Sequence, residues 1–306
     1  MRRFIRKHFA FLHNAVWSKV LLFSTVLFFA RIADAIISFW APVAVQNVLN
    51  NSFVMGLIIS FQSIVGLSAD LIFPKILRTV NSQRLVYSGL AMLAITSFFL
   101  VSSQYLPYIA IFLVTIALWG IYYEFIAFAN YQFMGSVVPL NMRSGAWGVA
   151  GIFVNLAYFL GPLLAAMLLL RGYWVTEGVV LVFLLFSFIL LSLTGKVHSS
   201  TGSVDLTEIN PWIELKHWAT LAKHIWPAMV ISVILGFIDS TFWTTGTIWT
   251  EKLSQESVYG GLFLPLYQLP SIFLGIMVAR WAIARGKKYL ARSLLLLPEY
   301  VLRRLG

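Results

Sequence analysis

The sequence predicts an all-α, polytopic membrane protein, with a six-span N-terminal bundle and an incomplete second bundle. Hydrophobic residues make up 60% of the 306 residues and charged residues only 11%. A soluble domain has too little interior to bury that much apolar surface. The apolar residues fall in runs of about twenty, the length that crosses a bilayer as a helix. These runs are apolar on most faces, as expected for helices surrounded by lipid.

Eight apolar runs are long enough to cross a membrane. They lie near residues 20–43, 53–73, 84–103, 107–129, 147–170, 173–194, 226–249 and 258–281. A ninth run, Leu294–Leu297, is too short to cross alone, because Arg292 and Glu299 bound it. Arg31 and Asp34 interrupt the end of the first run, which therefore reads as an uncleaved span and not as a signal peptide.

The runs and the polar stretches between them divide the chain into four segments. These are a basic cytoplasmic N-terminal segment (1–19), the six-span bundle (20–195), a polar cytoplasmic linker (196–224) and the incomplete second bundle (225–306). A second bundle of six spans would need about four more runs of some twenty residues. We therefore expect a chain that is truncated in its second half.

Basic residues indicate the orientation. If the N-terminus is cytoplasmic, all but three of the 22 Lys and Arg residues fall in cytoplasmic segments, the exceptions being Arg31, Arg171 and Lys252. Such asymmetry is typical of membrane proteins and predicts an integral protein of the cytoplasmic (plasma) membrane. The same spread of charge over short loops argues against a nucleic-acid-binding patch.

Three acidic residues lie inside separate spans, although the chain has only 11 in all: Asp34, Glu124 and Asp239. A carboxylate in hydrocarbon is costly unless it faces a wet cavity or a partner, so these residues predict a polar path through the membrane. Arg31 shares a helical face with Asp34, and the two either serve this path or form an inert buried pair. Glu124 has no base within a turn, and we expect it, like Asp239, to be a candidate proton carrier.

The residues around these acids offer further polar and aromatic groups. Hydroxyl residues surround Asp239, namely Ser240, Thr241, Thr244 and Thr245. Aromatic residues that either line a cavity or face lipid are Phe39, Trp40, Trp119, Tyr122, Tyr123, Phe242 and Trp243. A shift of 205 residues places Asp34 on Asp239 and Gly56 on Gly261, as in a parallel internal repeat whose first helices meet at a central site.

One motif between the second and third spans supports a family resemblance. Gly66, Asp70 and Lys75, with Arg78 nearby, occupy positions similar to a glycine–aspartate–base motif of the major facilitator superfamily of secondary transporters. That resemblance implies two six-span halves, a cavity lined by the first, fourth and seventh spans, and a gating role for Asp70. An acid beside bases at a helix end can latch helices in one access state, or it is simply solvated.

The fifth span carries a second match to this family. Small residues surround a Gly-Pro pair at the spacing of the family's antiporters: Gly148, Ala157, Gly161, Pro162, Ala165 and Ala166. Their four-residue spacing lets another helix approach closely, and Pro162 permits a bend. The resemblance implies antiport, although tight helix packing alone is equally compatible with a symporter.

These observations predict a secondary transporter that moves a small molecule by alternating access, coupled to protons, as an antiporter or exporter. The alternatives are a proton-coupled symporter for a metabolite and a truncated or non-transporting protein such as a sensor. An enzyme is disfavoured, because the sequence has no phosphate-binding glycine loop, no zinc signature and no cysteine. We therefore expect no catalytic residue, metal or cofactor; the expected partners are substrate, protons and lipid.

Overall fold

The computed structural model describes residues 15–77, 80–193, 211–257 and 259–273. Nearly all of these residues are helical, and no strand occurs among them, which confirms the all-α prediction. Six helices come first: α1 (Ala15–Leu49), α2 (Ser52–Ile76), α3 (Ser82–Tyr105), α4 (Ile109–Ser136), α5 (Leu140–Leu169) and α6 (Tyr173–Leu193). They are followed by α7 (Pro211–Glu256), a 3-10 turn (Gly260–Leu262) and α8 (263–273).

Seven of these helices, α1 to α7, are long and apolar enough to cross a membrane. They coincide with the first seven predicted spans, and most extend several residues beyond the predicted bounds. The eighth predicted span, 258–281, runs past the described residues, which include only the 3-10 turn and α8 from it. The predicted N-terminal segment lies almost wholly outside the described residues, as does the incomplete ninth crossing.

Polar residues set several helix ends. Asn50 has a φ of 48°, in the left-handed region that Asn tolerates better than most residues, and this reverses the chain after α1. The side chain of Asn51 then accepts hydrogen bonds from the backbone N–H groups of Phe53 and Val54, which caps α2. Gly172, with a φ of 112°, makes the equally short turn between α5 and α6.

Helix α7 is much longer than a single crossing. Its 46 residues correspond to about 69 Å at 1.5 Å per residue, more than twice the hydrocarbon thickness. Pro211 is its first described residue. The second part of the predicted linker, from residue 211 to 224, is thus helical, while residues 196–210 lie outside the described residues.

Helix α1 lies at the centre of the bundle. It packs most extensively against α5 and α6, and it also contacts α2, α3 and α7, while α4 packs against α2 and α3. Its side chains are buried almost continuously from Ala30 to Val45. The outer helices expose large apolar side chains, such as Phe53, Leu67 and Leu71, that are 65–75% accessible. An exposed apolar surface of this kind suits a lipid surrounding.

The close helix approach predicted from the small residues of α5 is present at Gly161. A Cβ atom added there would overlap the Cβ of Ala35 on α1 and lie 3.1 Å from its carbonyl carbon. Ala157, Pro162, Ala165 and Ala166 are buried with it. Gly148 is not part of this contact, because nothing lies within 4 Å of the position its Cβ would occupy.

Helix α7 contacts the first six helices over only part of its length. We call the end of the bundle that contains Leu49 the Leu49 end, and the opposite end the Ala15 end. Near the Leu49 end, Gly246, Thr247 and Thr250 are buried, and the Asn47 amide donates a hydrogen bond of 3.4 Å to Glu251. Residues 232–241, further toward the Ala15 end, are exposed. Helix α7 therefore contacts the first six helices at the Leu49 end and diverges from them toward the Ala15 end.

Candidate functional site

Arg31 and Asp34 form the ion pair that their spacing predicts. The guanidinium Nη1 of Arg31 lies 3.0 Å from Oδ2 of Asp34, and Asp34 is fully buried on α1. Two further donors come from other helices. The indole Nε1 of Trp119 on α4 donates to Oδ1 at 2.8 Å, and the hydroxyl of Tyr158 on α5 donates to Oδ2 at 2.5 Å. The three donors satisfy a carboxylate that would be very costly to bury alone.

The guanidinium of Arg31 lies among tyrosines. Its Nη1 also lies 3.3 Å from the hydroxyl of Tyr158, and its central carbon is 5.8 Å and 5.3 Å from the ring centres of Tyr122 and Tyr123. Such cation–π contacts stabilise a guanidinium that is shielded from water. Because its charge is balanced by Asp34, the pair as a whole is neutral.

A chain of hydroxyl groups leads away from the pair. The Tyr158 and Tyr123 hydroxyls are 3.2 Å apart, and the Tyr123 hydroxyl lies 3.5 Å from that of Ser38. Sequence reasoning placed Tyr123 among the aromatic candidates but missed Tyr158. No local pattern distinguishes Tyr158, since it meets Asp34 only because α5 packs closely on α1 at Gly161.

A cavity of about 630 Å³ lies beside these residues. Its walls come from α1, α2, α4, α5, α7 and α8. The lining residues are Ser38, Pro42, Ile59, Ser60, Gln62, Ser63, Trp119, Tyr123, Val154, Asn155, Tyr158, Asp239, Ser240, Trp243, Thr244, Tyr267, Gln268 and Ser271. Trp119 and Tyr158 thus line the cavity and also bind Asp34, so the buried pair lies directly behind the cavity wall.

Asp239 on α7 lines this cavity and is exposed. Its Oδ1 accepts a hydrogen bond of 3.1 Å from the hydroxyl of Tyr267 on α8. Of the four hydroxyl residues predicted to surround it, Ser240 and Thr244 line the cavity. The Thr244 hydroxyl donates to the Ser240 carbonyl at 2.7 Å. The hydroxyl oxygen of Thr244 can still accept a hydrogen bond.

Glu124 on α4 lies at a second, adjoining cavity of about 430 Å³. The two cavities share Gln62, Ser63 and Tyr123 as lining residues. Asp70 on α2 lines the same cavity, where its carboxyl group lies close to that of Glu124. The residue predicted to carry a proton and the residue predicted to gate therefore lie at the same cavity.

The other three members of the predicted gating motif are described to different extents. Gly66 leaves room for Glu124, because a Cβ atom at Gly66 would lie 3.1 Å from its Oε1. Lys75 belongs to the last turn of α2, but its side chain, like the whole of Arg78, is outside what the structure describes. The proposed partnership of Asp70 with these bases therefore stays a prediction.

One further acid within the spans escaped the sequence analysis. Glu177 on α6 is 5% exposed, and its Oε1 accepts a 3.1 Å hydrogen bond from Ser97 on α3. Its Oε2 is buried and has no hydrogen-bond partner among the described residues. The sequence alone could have identified Glu177, since it is the single acidic residue in the predicted span 173–194.

Three of the seven aromatic candidates line the larger cavity: Trp119, Tyr123 and Trp243. Phe39, Trp40 and Tyr122 are instead fully buried in the bundle, and Phe242 stacks on Tyr267 with ring centres 4.1 Å apart. The interpretation of these residues as lipid-facing therefore fails for most of them. Within the described ranges, no group of three or more His, Asp or Glu residues could hold a metal ion.

Comparison with protein families found no match, and a search of curated proteins found none similar to this chain.

Proposed function

We propose that the protein is a secondary transporter that moves a small molecule across the membrane by alternating access. The observation that carries this proposal is the cavity of about 630 Å³ between the first six helices and α7 with α8. Pockets for small ligands commonly have volumes of about 300–1,000 Å³. A cavity at the boundary between two groups of membrane helices is where rocking of the groups would change access.

Membership of the major facilitator superfamily is part of this proposal. In support, the first, fourth and seventh helices, which the resemblance expects around the cavity, contribute Ser38, Trp119 and Asp239 to its wall. The second, fifth and eighth helices contribute as well. The matching motifs in α2 and α5 point to the same family.

The contacts of α7 suggest which access state is present. Helices α1 and α7 meet near the Leu49 end and part toward the Ala15 end, where Asp239 is exposed. If the N-terminus is cytoplasmic, as the basic residues predict, the cavity is open to the cytoplasm. The proposed cycle then requires the Asn47–Glu251 contact to break when the cavity opens to the other side.

Proton coupling is assigned to Glu124 with Asp70. Two carboxyl groups in one cavity repel each other when both are ionised, and a proton bound by either group removes that repulsion. Such a change favours a different arrangement of α2 and α4. Proton binding can therefore change the positions of α2 and α4, and coupling requires such a change.

The test is flux in proteoliposomes with an imposed pH gradient, a panel of small solutes and a pH-sensitive dye in the lumen. The unmodified protein should move a solute and protons together. Glu124→Gln should remove the dependence on the pH gradient, and Asp239→Asn should abolish solute flux. The matched control is Glu256→Gln, which removes a carboxylate from the exposed end of α7 and should leave flux unchanged.

The outcomes separate the alternatives. Solute and proton moving in opposite directions indicate an antiporter, and movement in the same direction indicates a symporter. Gradient-dependent flux that is unchanged in both single variants would remove these acids from the mechanism. Absence of flux for every solute, in protein that remains folded in the membrane, would refute transport itself.

A further inference from the structure

The formal charge of the larger cavity is negative. Of its 18 lining residues, Asp239 is acidic and none is Lys or Arg. The ion pair behind the wall adds no net charge, because Arg31 and Asp34 neutralise each other at 3.0 Å. Within the part of the chain that the structure describes, the cavity therefore presents one uncompensated carboxylate to a ligand.

Asp239 is available to a ligand. Its Oδ1 accepts one hydrogen bond, from Tyr267, and no ion pair joins it to a Lys or Arg among the described residues. A hydrogen bond from a neutral phenol leaves the negative charge in place. A cationic ligand would supply the missing counter-charge, whereas an anion would be repelled.

Five of the 18 lining residues are aromatic. Tyr158 on α5 and Trp243 on α7 meet edge to face with ring centres 5.2 Å apart, and Trp119 and Tyr123 lie 5.7 Å apart on α4. Tyr267 carries the hydroxyl that binds Asp239. Rings that line the same cavity as a carboxylate suit an organic cation, because their faces attract positive charge and their surfaces cover an apolar body.

We propose that the ligand of this cavity is a monovalent amphiphilic organic cation with Asp239 as its counter-ion. This inference rests on the proposed function, since it names the substrate class of the same cavity. An inorganic cation fits less well, because Ca²⁺ and Mg²⁺ take about six or more oxygen ligands, usually several of them carboxylates, and Asp239 is the single acid among the lining residues. The volume of about 630 Å³ admits a molecule of several rings.

The test uses two probes of similar size and opposite charge, tetraphenylphosphonium and tetraphenylborate. Binding of each labelled probe to the full chain in uncharged-lipid nanodiscs is measured by equilibrium dialysis, with empty nanodiscs subtracted. Tetraphenylphosphonium should bind and tetraphenylborate should not. Asp239→Asn should weaken cation binding by about tenfold or more, the effect of removing roughly 1.4 kcal/mol.

Three further variants separate charge from structure. Asp239→Glu keeps the negative charge and should retain most of the binding, while Glu256→Gln should bind like the unmodified protein. Trp243→Ala should bind the cation less well than Trp243→Phe, because only the latter keeps a ring face. Thermal unfolding of each variant shows whether the fold is retained.

The inference is overturned if Asp239→Asn binds tetraphenylphosphonium as the unmodified protein does, or if the anion binds equally well. It is also overturned if neither probe binds while proteoliposomes transport a neutral or anionic solute, which would leave the proposed function standing. The converse result is cation binding that depends on Asp239 without any flux. That result would support the cavity chemistry and refute transport.

Discussion

Replacement of Asp34 tests the buried ion pair most directly. Asp34→Asn keeps the size of the side chain but removes its charge, so Arg31 remains in the bundle without a counter-ion. The amide nitrogen also cannot accept the hydrogen bond that Tyr158 donates to Oδ2. Removal of one partner from a buried ion pair typically costs about 3–5 kcal/mol. We expect a loss of this size in the free energy of unfolding.

Replacement of Arg31 should cost less, and the structure gives the reason. After Arg31→Met, Asp34 still accepts hydrogen bonds from Trp119 and Tyr158. The variant loses the charged hydrogen bond to Asp34, worth about 1.5–3 kcal/mol, and the weaker 3.3 Å contact with the Tyr158 hydroxyl. In the double variant no uncompensated charge is left, so its loss should be smaller than the sum of the two single losses.

The assay is steric trapping in bicelles, which measures the free energy of unfolding without denaturant. Ser24→Ala is the matched control, because Ser24 is buried on the same helix and its hydroxyl has no hydrogen-bond partner among the described residues. It should change the unfolding free energy little. The reasoning is refuted if Asp34→Asn is no more destabilising than Ser24→Ala, or if the losses of Asp34→Asn and Arg31→Met simply add.

Two other predictions concern the contacts of α1. Gly161→Ala should lower the free energy of unfolding by about 1–3 kcal/mol, measured in the same way, because the new Cβ would overlap Ala35. Since the chain has no cysteine, Asn47→Cys with Glu251→Cys creates a single reactive pair across α1 and α7. Cross-linking of that pair with a short bifunctional thiol reagent should abolish flux, because the Leu49 end could no longer open.

Each of these predictions has a control within the same helices or the same bundle. Gly151→Ala lies on α5 with nothing within 4 Å of the new Cβ, and should be neutral or stabilising by up to about 1 kcal/mol. Tyr87→Cys with Ser192→Cys links α3 and α6, whose hydroxyls are 3.1 Å apart within the first six helices. That cross-link should leave flux intact. Equal effects of the two glycine variants, or undiminished flux after the Asn47–Glu251 cross-link, would contradict the argument.

Most of the helical architecture could be predicted from the sequence because membrane helices obey a local rule. A run of about twenty apolar residues crosses the bilayer whatever it packs against, and the seven described spans follow that rule. Helix ends were less predictable. The extension of α7 back to Pro211 passes through Glu214 and Lys216, which lower the hydropathy without preventing a helix.

The charged part of the site was predictable for a related reason. Arg31 and Asp34 are three residues apart on one helix, so their pairing is a local property. The donors from Trp119 and Tyr158 reach Asp34 from residues 85 and 124 positions away in the sequence. Which residues face each other across helices depends on packing angles and on close contacts such as that of Gly161 with Ala35, and a single sequence does not contain them.

The proximity of Asp70 and Glu124 also depends on helix packing, and it changes how the two residues are interpreted. Sequence motifs treated Asp70 as a latch and Glu124 as a proton carrier, because each was considered on its own helix. Packing of α2 against α4 brings the two carboxyl groups to the same cavity, and Gly66 leaves room for the carboxyl group of Glu124. Under the proposed function, a latch that is weakened when both acids are ionised makes gating and coupling one event. Substitution of either acid should then alter both the pH dependence of flux and the distribution between access states.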